Sequence, residues 1–299
     1  MESPGQSTAL PLLILCLEFA TILALAYLAG LALTHLVRRI LHAALPALRA
    51  TARWLAESWS RSAVLRRWPR VRRWVGARLA PGSVAGLPLT IVLVSGASAA
   101  LLLGELAEAV IEAEEVVRFD AAVDAAVHPY RSDAAVAVFA AITALGGTEG
   151  TLVVTGVASL LLWRFRRRRL IAPLWVSVVG AQLTTWFGKQ IVGRPRPEFV
   201  TGFVESSLSF PSGHSTAALA TFGFIAYVLA RASTGWRRRF EVLFWFGFLI
   251  ALIGFSRVFL GVHYASDVAA GFLVGSIWLL AGIAWLEWRE EQARVEAAG

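Results

Sequence analysis

Long apolar runs separated by short polar segments dominate this chain. Seven runs approach or exceed the roughly 20 apolar residues that a helix needs to cross a bilayer. They occupy residues 9–36, 87–111, 148–163, 170–188, 214–230, 240–256 and 266–286. The pattern predicts an all-α, polytopic membrane protein with a six-helix transmembrane core bundle and an extra N-terminal transmembrane helix.

Polar segments divide the chain into four predicted regions. These are an N-terminal transmembrane helix (1–37), an amphipathic, Arg/Trp-rich cytoplasmic segment (38–87), a transmembrane core (88–287) and a cytoplasmic tail (288–299). A shorter apolar stretch, residues 133–145, is followed by Gly146-Gly147 and is too short to span comfortably. It suits a helix that lies along the membrane surface or packs on the bundle.

Composition supports a membrane protein and limits the metal chemistry. The chain is 57% hydrophobic and 16% charged, whereas soluble domains average about 25% charged residues. Cys16 is the only cysteine, which excludes an internal disulfide and a cysteine-based metal site. A zinc site is also disfavoured because a second close carboxylate is missing beside the histidines.

Arginine is distributed unevenly between the two predicted sides of the membrane. Eleven, five and four of the 27 arginines lie in residues 38–87, 164–169 and 231–239, and five lie in the predicted outer segments. The positive-inside rule places the three richer segments in the cytoplasm. Basic clusters can also indicate nucleic-acid binding, but these flank apolar runs without a nucleic-acid motif. We expect the lipid bilayer as a partner and no nucleic acid.

Three cations lie on the predicted outer side, and few acidic residues are near them in the sequence. Lys189 is the only lysine of the chain, and Arg196 and Arg257 come from two later loops. Cations that converge at a membrane surface indicate an anion with several oxygens, and phosphate is the natural candidate. Ser212-Gly213 opens the fifth core run, where a helix N-terminus would add an anion site.

Two histidines accompany these cations. His263 and Asp267 are four residues apart, so on a helix they would share a face and the carboxylate would orient the imidazole. His214 follows Gly213 and could protonate a leaving oxygen. A single histidine at a membrane edge is more often structural, but two among phosphate-type cations favour catalysis.

Three motifs together resemble the signature of the type-2 phosphatidic acid phosphatase superfamily. They are Lys189-x6-Arg196-Pro197, Pro211-Ser212-Gly213-His214 and Ser256-Arg257-x5-His263-x3-Asp267. The resemblance covers roughly residues 88–287 and implies a phosphatase that uses no metal and no other cofactor.

The resemblance also implies a role for each matching residue. His263 corresponds to the nucleophile that forms a phosphohistidine, Asp267 to its orienting carboxylate, and His214 to the general acid. The phosphoryl-binding set would comprise Lys189, Arg196, Ser212, Gly213 and Arg257.

We therefore expect a lipid phosphate phosphatase of the inner (cell) membrane with its active site on the extracytoplasmic side. Polyprenyl pyrophosphate is the first expected substrate, with phosphatidylglycerol phosphate and phosphatidic acid as alternatives. A phosphotransferase acting on a lipid or sugar acceptor stays open. The membrane spans argue against a vanadium haloperoxidase, and the intact motifs argue against a non-enzymatic lipid carrier or scaffold. No pattern in the sequence points to a particular oligomeric state.

Overall fold

The computed structural model describes residues 20–40, 87–197, 202 and 205–298, with the single positions 43 and 50. Over these residues the protein is helical and has no strand, which confirms the all-α prediction. The helices are α1 (Ala20–Ile40), α2 (Leu87–Glu112), α3 (Glu114–Val127), α4 (Asp133–Ala144), α5 (Thr148–Arg164), α6 (Ile171–Val192), α7 (Gly213–Ala232), α8 (Trp236–Phe259) and α9 (Ala265–Ala298).

Within the described ranges, six helices are long and apolar enough to cross a membrane, namely α1, α2, α6, α7, α8 and α9. Helices α4 and α5 meet at a 46° bend and add a seventh span if the pair is counted as one. The predicted seven spans therefore correspond to these helices. Helix α9 continues to Ala298, through most of the predicted cytoplasmic tail (288–299).

Contacts within the chain define two units, and the smaller one contains α1 together with residues 233–244. Within this unit the Tyr27 ring packs on Phe240 and Phe244, with ring centroids 5.5 and 5.2 Å away. His35 stacks edge-on against Trp236 at 4.0 Å. Cys16, the predicted start of the first span and nearly all of the Arg/Trp-rich segment 38–87 lie outside the described residues.

The larger unit contains α2 to α7, the rest of α8, and α9, and its helices pack closely where α9 meets α7. A Cβ placed on Gly271 would lie 2.6 Å from the Ser212 carbonyl oxygen, and one on Gly275 would lie 2.9 Å from Leu219 Cβ. Small residues at these positions let the two backbones approach each other. The start of α7 is thereby held against the start of α9.

The bend between α4 and α5 requires glycine. A Cβ on Gly146 would lie 2.5 Å from Ile253 Cγ2, and one on Gly147 would lie 3.3 Å from His214 Nε2. The predicted end of the short helix at Gly146-Gly147 is confirmed. The bend places the start of α5 directly beside His214.

Candidate active site

The first motif lies where α6 ends. Lys189 occupies the last turn of this helix, and Gly193 closes it in the left-handed conformation, with φ 65°. Glycine is the usual residue at this position, and Pro195 and Pro197 cannot continue a helix. The chain therefore leaves α6 in an irregular path that carries Arg196 back towards Lys189.

The second motif opens α7. Ser212 is fully buried, and its Oγ accepts hydrogen bonds from the Ser215 N–H at 3.5 Å and the Ser215 hydroxyl at 3.0 Å. The predicted N-cap is thus present, but the hydroxyl serves the helix start and does not face the cleft. Gly213 and His214 are the residues of this motif that line it.

The third motif lies between α8 and α9. Because α9 begins at Ala265, His263 stands in the preceding turn, so the two residues do not share a helix face as the spacing suggested. Asp267 Oδ2 instead accepts the Tyr264 N–H at 2.9 Å, as the third residue of a capping box does. This contact brings Asp267 Oδ2 to 3.4 Å from His263 Nδ1.

The hydrogen bonds of His263 define its protonation. A guanidinium can only donate, and Arg196 Nη1 donates to His263 Nε2 at 3.0 Å. The lone pair is therefore on Nε2, and the proton is on Nδ1, which faces Asp267 and Ser209 Oγ, the latter at 3.3 Å. Burial lowers the pKa of His263 to about 4, despite the opposing effect of Asp267. The imidazole is neutral at physiological pH.

The three cations of the motifs converge but use protein oxygens as partners. Lys189 Nζ donates to Ser207 Oγ at 3.1 Å and to the Leu208 carbonyl. Arg257 is 1% exposed and donates to Thr143 Oγ1 at 2.9 Å. Its Nε is buried and has no hydrogen-bond partner among the described residues. These cations could donate further hydrogen bonds to the oxygen atoms of a bound anion.

Glu205 joins two of these cations and was not predicted as a site residue. Its Oε2 lies 2.7 Å from Arg196 Nη2, and its Oε1 accepts from Arg257. Burial alone would raise the pKa of Glu205, but Arg257 and Arg196 outweigh it and lower the pKa to about 2. A carboxylate thus lies between two guanidiniums that could bind a phosphoryl group.

A second buried ion-pair network stands behind the dyad of His263 and Asp267. Arg194 donates to Asp267 Oδ1 and to Asp120 Oδ2, both at 2.8 Å. Asp120 is 2% exposed and also accepts the Ser266 N–H at 2.9 Å. Sequence reasoning missed this network because Asp120 is one of many acids in the predicted outer segment.

The converging side chains surround a cleft of about 260 Å³. The residues that line it include Lys189, Arg196, Glu205, Gly213, His214 and His263. Asp267 and Arg257 stand behind this surface. In the described part of the chain, no group of three or more His, Cys, Asp or Glu residues could hold a metal ion.

This arrangement has the parts that phosphoryl transfer needs. That reaction depends on positioning and on stabilising charge on the phosphoryl oxygens. An unprotonated imidazole nitrogen faces a cleft lined by cations, and a second imidazole, that of His214, also lines this cleft. The structure brings the predicted residues together, with Ser212 turned towards its own helix.

Comparison with known proteins gives the same family as the motifs. The family model of the PAP2 superfamily matches residues 170–291. The chain is 34% identical over 140 residues to phosphatidylglycerophosphatase B of Bacillus subtilis. This alignment covers 46% of this chain and 68% of that protein. It is 34% identical over 127 residues to an undecaprenyl-diphosphatase of Sulfolobus acidocaldarius, covering 40% and 57%, respectively.

The fold is similar to that of a solved member. The crystal structure of a transmembrane PAP2 type phosphatidylglycerolphosphate phosphatase from Bacillus subtilis matches with a TM-score of 0.59 and 28% identity. The match covers 64% of this chain and 95% of that one. These similarities and the apolar helices identify a multi-pass membrane protein, and its named relatives are lipid phosphatases. As its three motifs predict, the chain belongs to the PAP2 superfamily.

Proposed function

We propose that the protein hydrolyses a lipid phosphate or pyrophosphate through a phosphohistidine on His263. The observation that carries the proposal is the Nε2 lone pair of a neutral His263, held at the cleft by Arg196. An imidazole nucleophile must be unprotonated at the attacking atom, and its other nitrogen must be held in place. Both conditions are met by the contacts of His263.

In the first step, His263 Nε2 attacks the phosphorus atom, and an N–P bond forms as the bond to the leaving oxygen breaks. His214 donates a proton to that oxygen. Lys189, Arg196 and Arg257 stabilise the charge on the phosphoryl oxygens. Asp267 stabilises the positive charge that develops on the imidazole.

In the second step, water attacks the phosphohistidine. The N–P bond breaks, orthophosphate leaves, and His214 takes up the proton of the attacking water. An alcohol could replace water and would receive the phosphoryl group, which is the phosphotransferase alternative. The two reactions differ only in the acceptor.

The surroundings of the cleft favour a lipid substrate. Trp186 lines the cleft from α6, and the neighbouring side chains Leu183, Phe187 and Ile191 are exposed, Ile191 by 80%. A helix face of this kind within a candidate span suits contact with acyl or prenyl chains. A lipid could thus present its phosphate to Lys189 while its tail remains outside the cleft.

Two substrates lead the candidates. Polyprenyl pyrophosphate is the first, supported by the undecaprenyl-diphosphatase among the relatives. Phosphatidylglycerol phosphate is the second, supported by the relative and by the solved structure named for that activity. Both present a terminal phosphate on a membrane lipid.

We place the active site on the extracytoplasmic side of the cell membrane. The arginine run between α5 and α6 and Arg231 at the end of α7 lie at the helix ends opposite to Lys189 and His214. Arginine-rich loops favour the cytoplasm. The cleft then faces outwards.

A phosphate-release panel on the purified full chain tests the proposal. The substrates are undecaprenyl pyrophosphate, phosphatidylglycerol phosphate and phosphatidic acid, each with excess chelator and with or without vanadate. We expect chelator-resistant release of orthophosphate that vanadate inhibits. A phosphorylated acceptor in place of orthophosphate would identify a phosphotransferase, and activity only with added metal would overturn the mechanism.

A further inference from the structure

A second, larger cavity lies at the other end of the same helices. It measures about 1180 Å³ and is bounded by the end of α5, the start of α6, the end of α7 and α9. Leu174 on its wall precedes Lys189 by 15 residues on α6, a rise of about 22 Å along a helix. The cavity is therefore separate from the His263 cleft.

The walls of this cavity are apolar, and its rim is basic. Leu162, Leu174, Phe224 and Val228 are among the wall residues and lie within candidate spans or the bent α4–α5 pair. The rim carries Arg166, Arg167, Arg169 and Arg231. Apolar walls inside a span and cations at its end correspond to the acyl and headgroup levels of one leaflet.

Acids of the described part of the chain pair with one of the four rim arginines. Arg231 pairs with Glu287 and with Glu290, the latter at 2.6 Å. Arg166, Arg167 and Arg169 are exposed and form no ion pair with any described residue. Three unpaired positive charges therefore surround the mouth of an apolar cavity.

The backbone at the mouth is unusual. Arg166 has a φ of 59°, in the left-handed region that favours glycine. The Arg166 N–H donates to the Trp163 carbonyl and the Arg167 N–H to the Leu162 carbonyl, which together form a Schellman ending of α5. This ending reverses the chain sharply, so that Arg166 within it and Arg167 and Arg169 after it lie at the cavity.

We propose that this cavity binds an anionic phospholipid from the surrounding leaflet. An acyl chain would occupy the apolar interior, and the lipid phosphate would accept hydrogen bonds from Arg166, Arg167 and Arg169. Inorganic phosphate would leave the interior unfilled, and a zwitterionic lipid would leave the positive charges uncompensated. A basic pocket between transmembrane helices is a recognised form of lipid site. The inference does not depend on the role of His263.

The test measures lipid binding to the full chain in phosphatidylcholine nanodiscs. Phosphatidylserine is the probe, because it is anionic but has no terminal phosphate for the His263 cleft to hydrolyse. Bound phosphatidylserine is counted by native mass spectrometry, and its affinity is measured from the rise in Tm. Inorganic phosphate is added alone in a parallel arm.

Two variants and one matched control separate this site from general surface charge. The first variant combines Arg166→Gln, Arg167→Gln and Arg169→Gln. The second, Ala158→Phe, adds bulk to the cavity wall and keeps every charge. The control combines Arg237→Gln, Arg238→Gln and Arg239→Gln, which removes the same charge from residues that do not line the cavity.

We expect both variants to weaken phosphatidylserine binding about tenfold or more, with the control close to the unchanged chain. Equal losses in the two triple variants would mean unspecific surface charge and would overturn the site. Unchanged binding in Ala158→Phe would overturn the acyl-chain part, and stabilisation by inorganic phosphate alone would overturn the phospholipid. If the triple variant does not fold, the single variant Arg167→Gln replaces it as the test of the charges, and Ala158→Phe still tests the acyl-chain site.

Discussion

The two ends of the α6–α7 bundle use arginine in opposite ways. At the His263 end, Arg194, Arg196 and Arg257 are largely buried, and each donates to a carboxylate. At the other end, the three unpaired arginines are exposed around an apolar cavity. Paired and buried arginines have fixed positions, which a reaction requires, whereas exposed ones remain free to meet a headgroup from the membrane.

The difference has a simple physical basis. A buried guanidinium loses its hydration and must be hydrogen-bonded by the protein. The small His263 cleft meets this need with Glu205, Asp120 and Asp267. Arginines at the ends of membrane helices keep their hydration at headgroup level and need no such partners. Chemistry should therefore be confined to the first end.

The largest effect that we expect is from His263→Ala. It removes the proposed nucleophile and should lower phosphate release about a thousandfold or more, because the phosphohistidine on His263 can then no longer form. Orthophosphate release by the purified variant measures this. The control is His35→Ala, since His35 stacks on Trp236 in the smaller unit. Turnover in His263→Ala equal to that of the control would break the assignment of chemistry to this end.

The next effect tests the buried network behind the dyad. Asp120→Asn places an amide where three donors, the Arg194 guanidinium, the Ser266 N–H and the Ser266 hydroxyl, now point at carboxylate oxygens. We expect kcat to fall about tenfold to a hundredfold with little change in KM, as for other residues that act through a reacting group's partner.

Two companion variants distinguish positioning from a general loss of structure. Arg194→Lys keeps the charge, but an ammonium lacks the fork that bridges Asp120 and Asp267, so kcat should fall here too. Asp124→Asn breaks the Arg131–Asp124 pair, which touches neither His263 nor Asp267, and should retain activity. A loss of Tm without a selective loss of kcat would make Asp120 purely structural.

Glu205 should affect binding more than chemistry. Inorganic phosphate must displace this carboxylate from Arg196 and Arg257, so Glu205→Gln should lower the inhibition constant of phosphate about tenfold, near 1.4 kcal/mol. The exposed residue Glu149 provides the control, because Glu149→Gln makes the same charge change at the start of α5. Weaker inhibition by phosphate in Glu205→Gln would mean that the carboxylate supports the site and does not compete for it.

The sequence predicted the helices and the converging motifs because both depend on local patterns. Apolar runs define the spans, and the spacings from Lys189 to Asp267 place residues at helix ends. The contacts of Glu205 could not be predicted, since only the folded loop brings its carboxylate between Arg196 and Arg257. The role of Asp120 could not be predicted either, because its ion pair with Arg194 joins residues 74 positions apart.

The role of His263 shows how a correct pairing can come from an incorrect local structure. A shared helix face was expected, but the helix begins after His263, and the capping contact of Asp267 with the Tyr264 N–H makes the pair. Turns that join helices are set by tertiary packing, so spacing alone could not reveal this. The capping contact holds Asp267 near Nδ1, and Arg196 donates to the unprotonated Nε2. These contacts bear on the last prediction.

The smallest effect that we expect is a lowered titration midpoint of His263. Histidine ordinarily titrates near pH 6.5, and burial lowers the pKa of His263 to about 4. The neutral form attacks, so the nucleophile should persist as the pH falls through 6 and be lost only near 4. Asp267 favours the protonated form, whereas Arg196 and Arg257 disfavour it. NMR of histidine-labelled protein measures the titration midpoint of His263, whose signal is identified by its absence in His263→Ala. Because no substrate is present, the ionisation of a substrate phosphate does not affect the result. A midpoint near 6.5 would mean that His263 is solvated, and the contrast between a buried, fixed end and a hydrated end would fail.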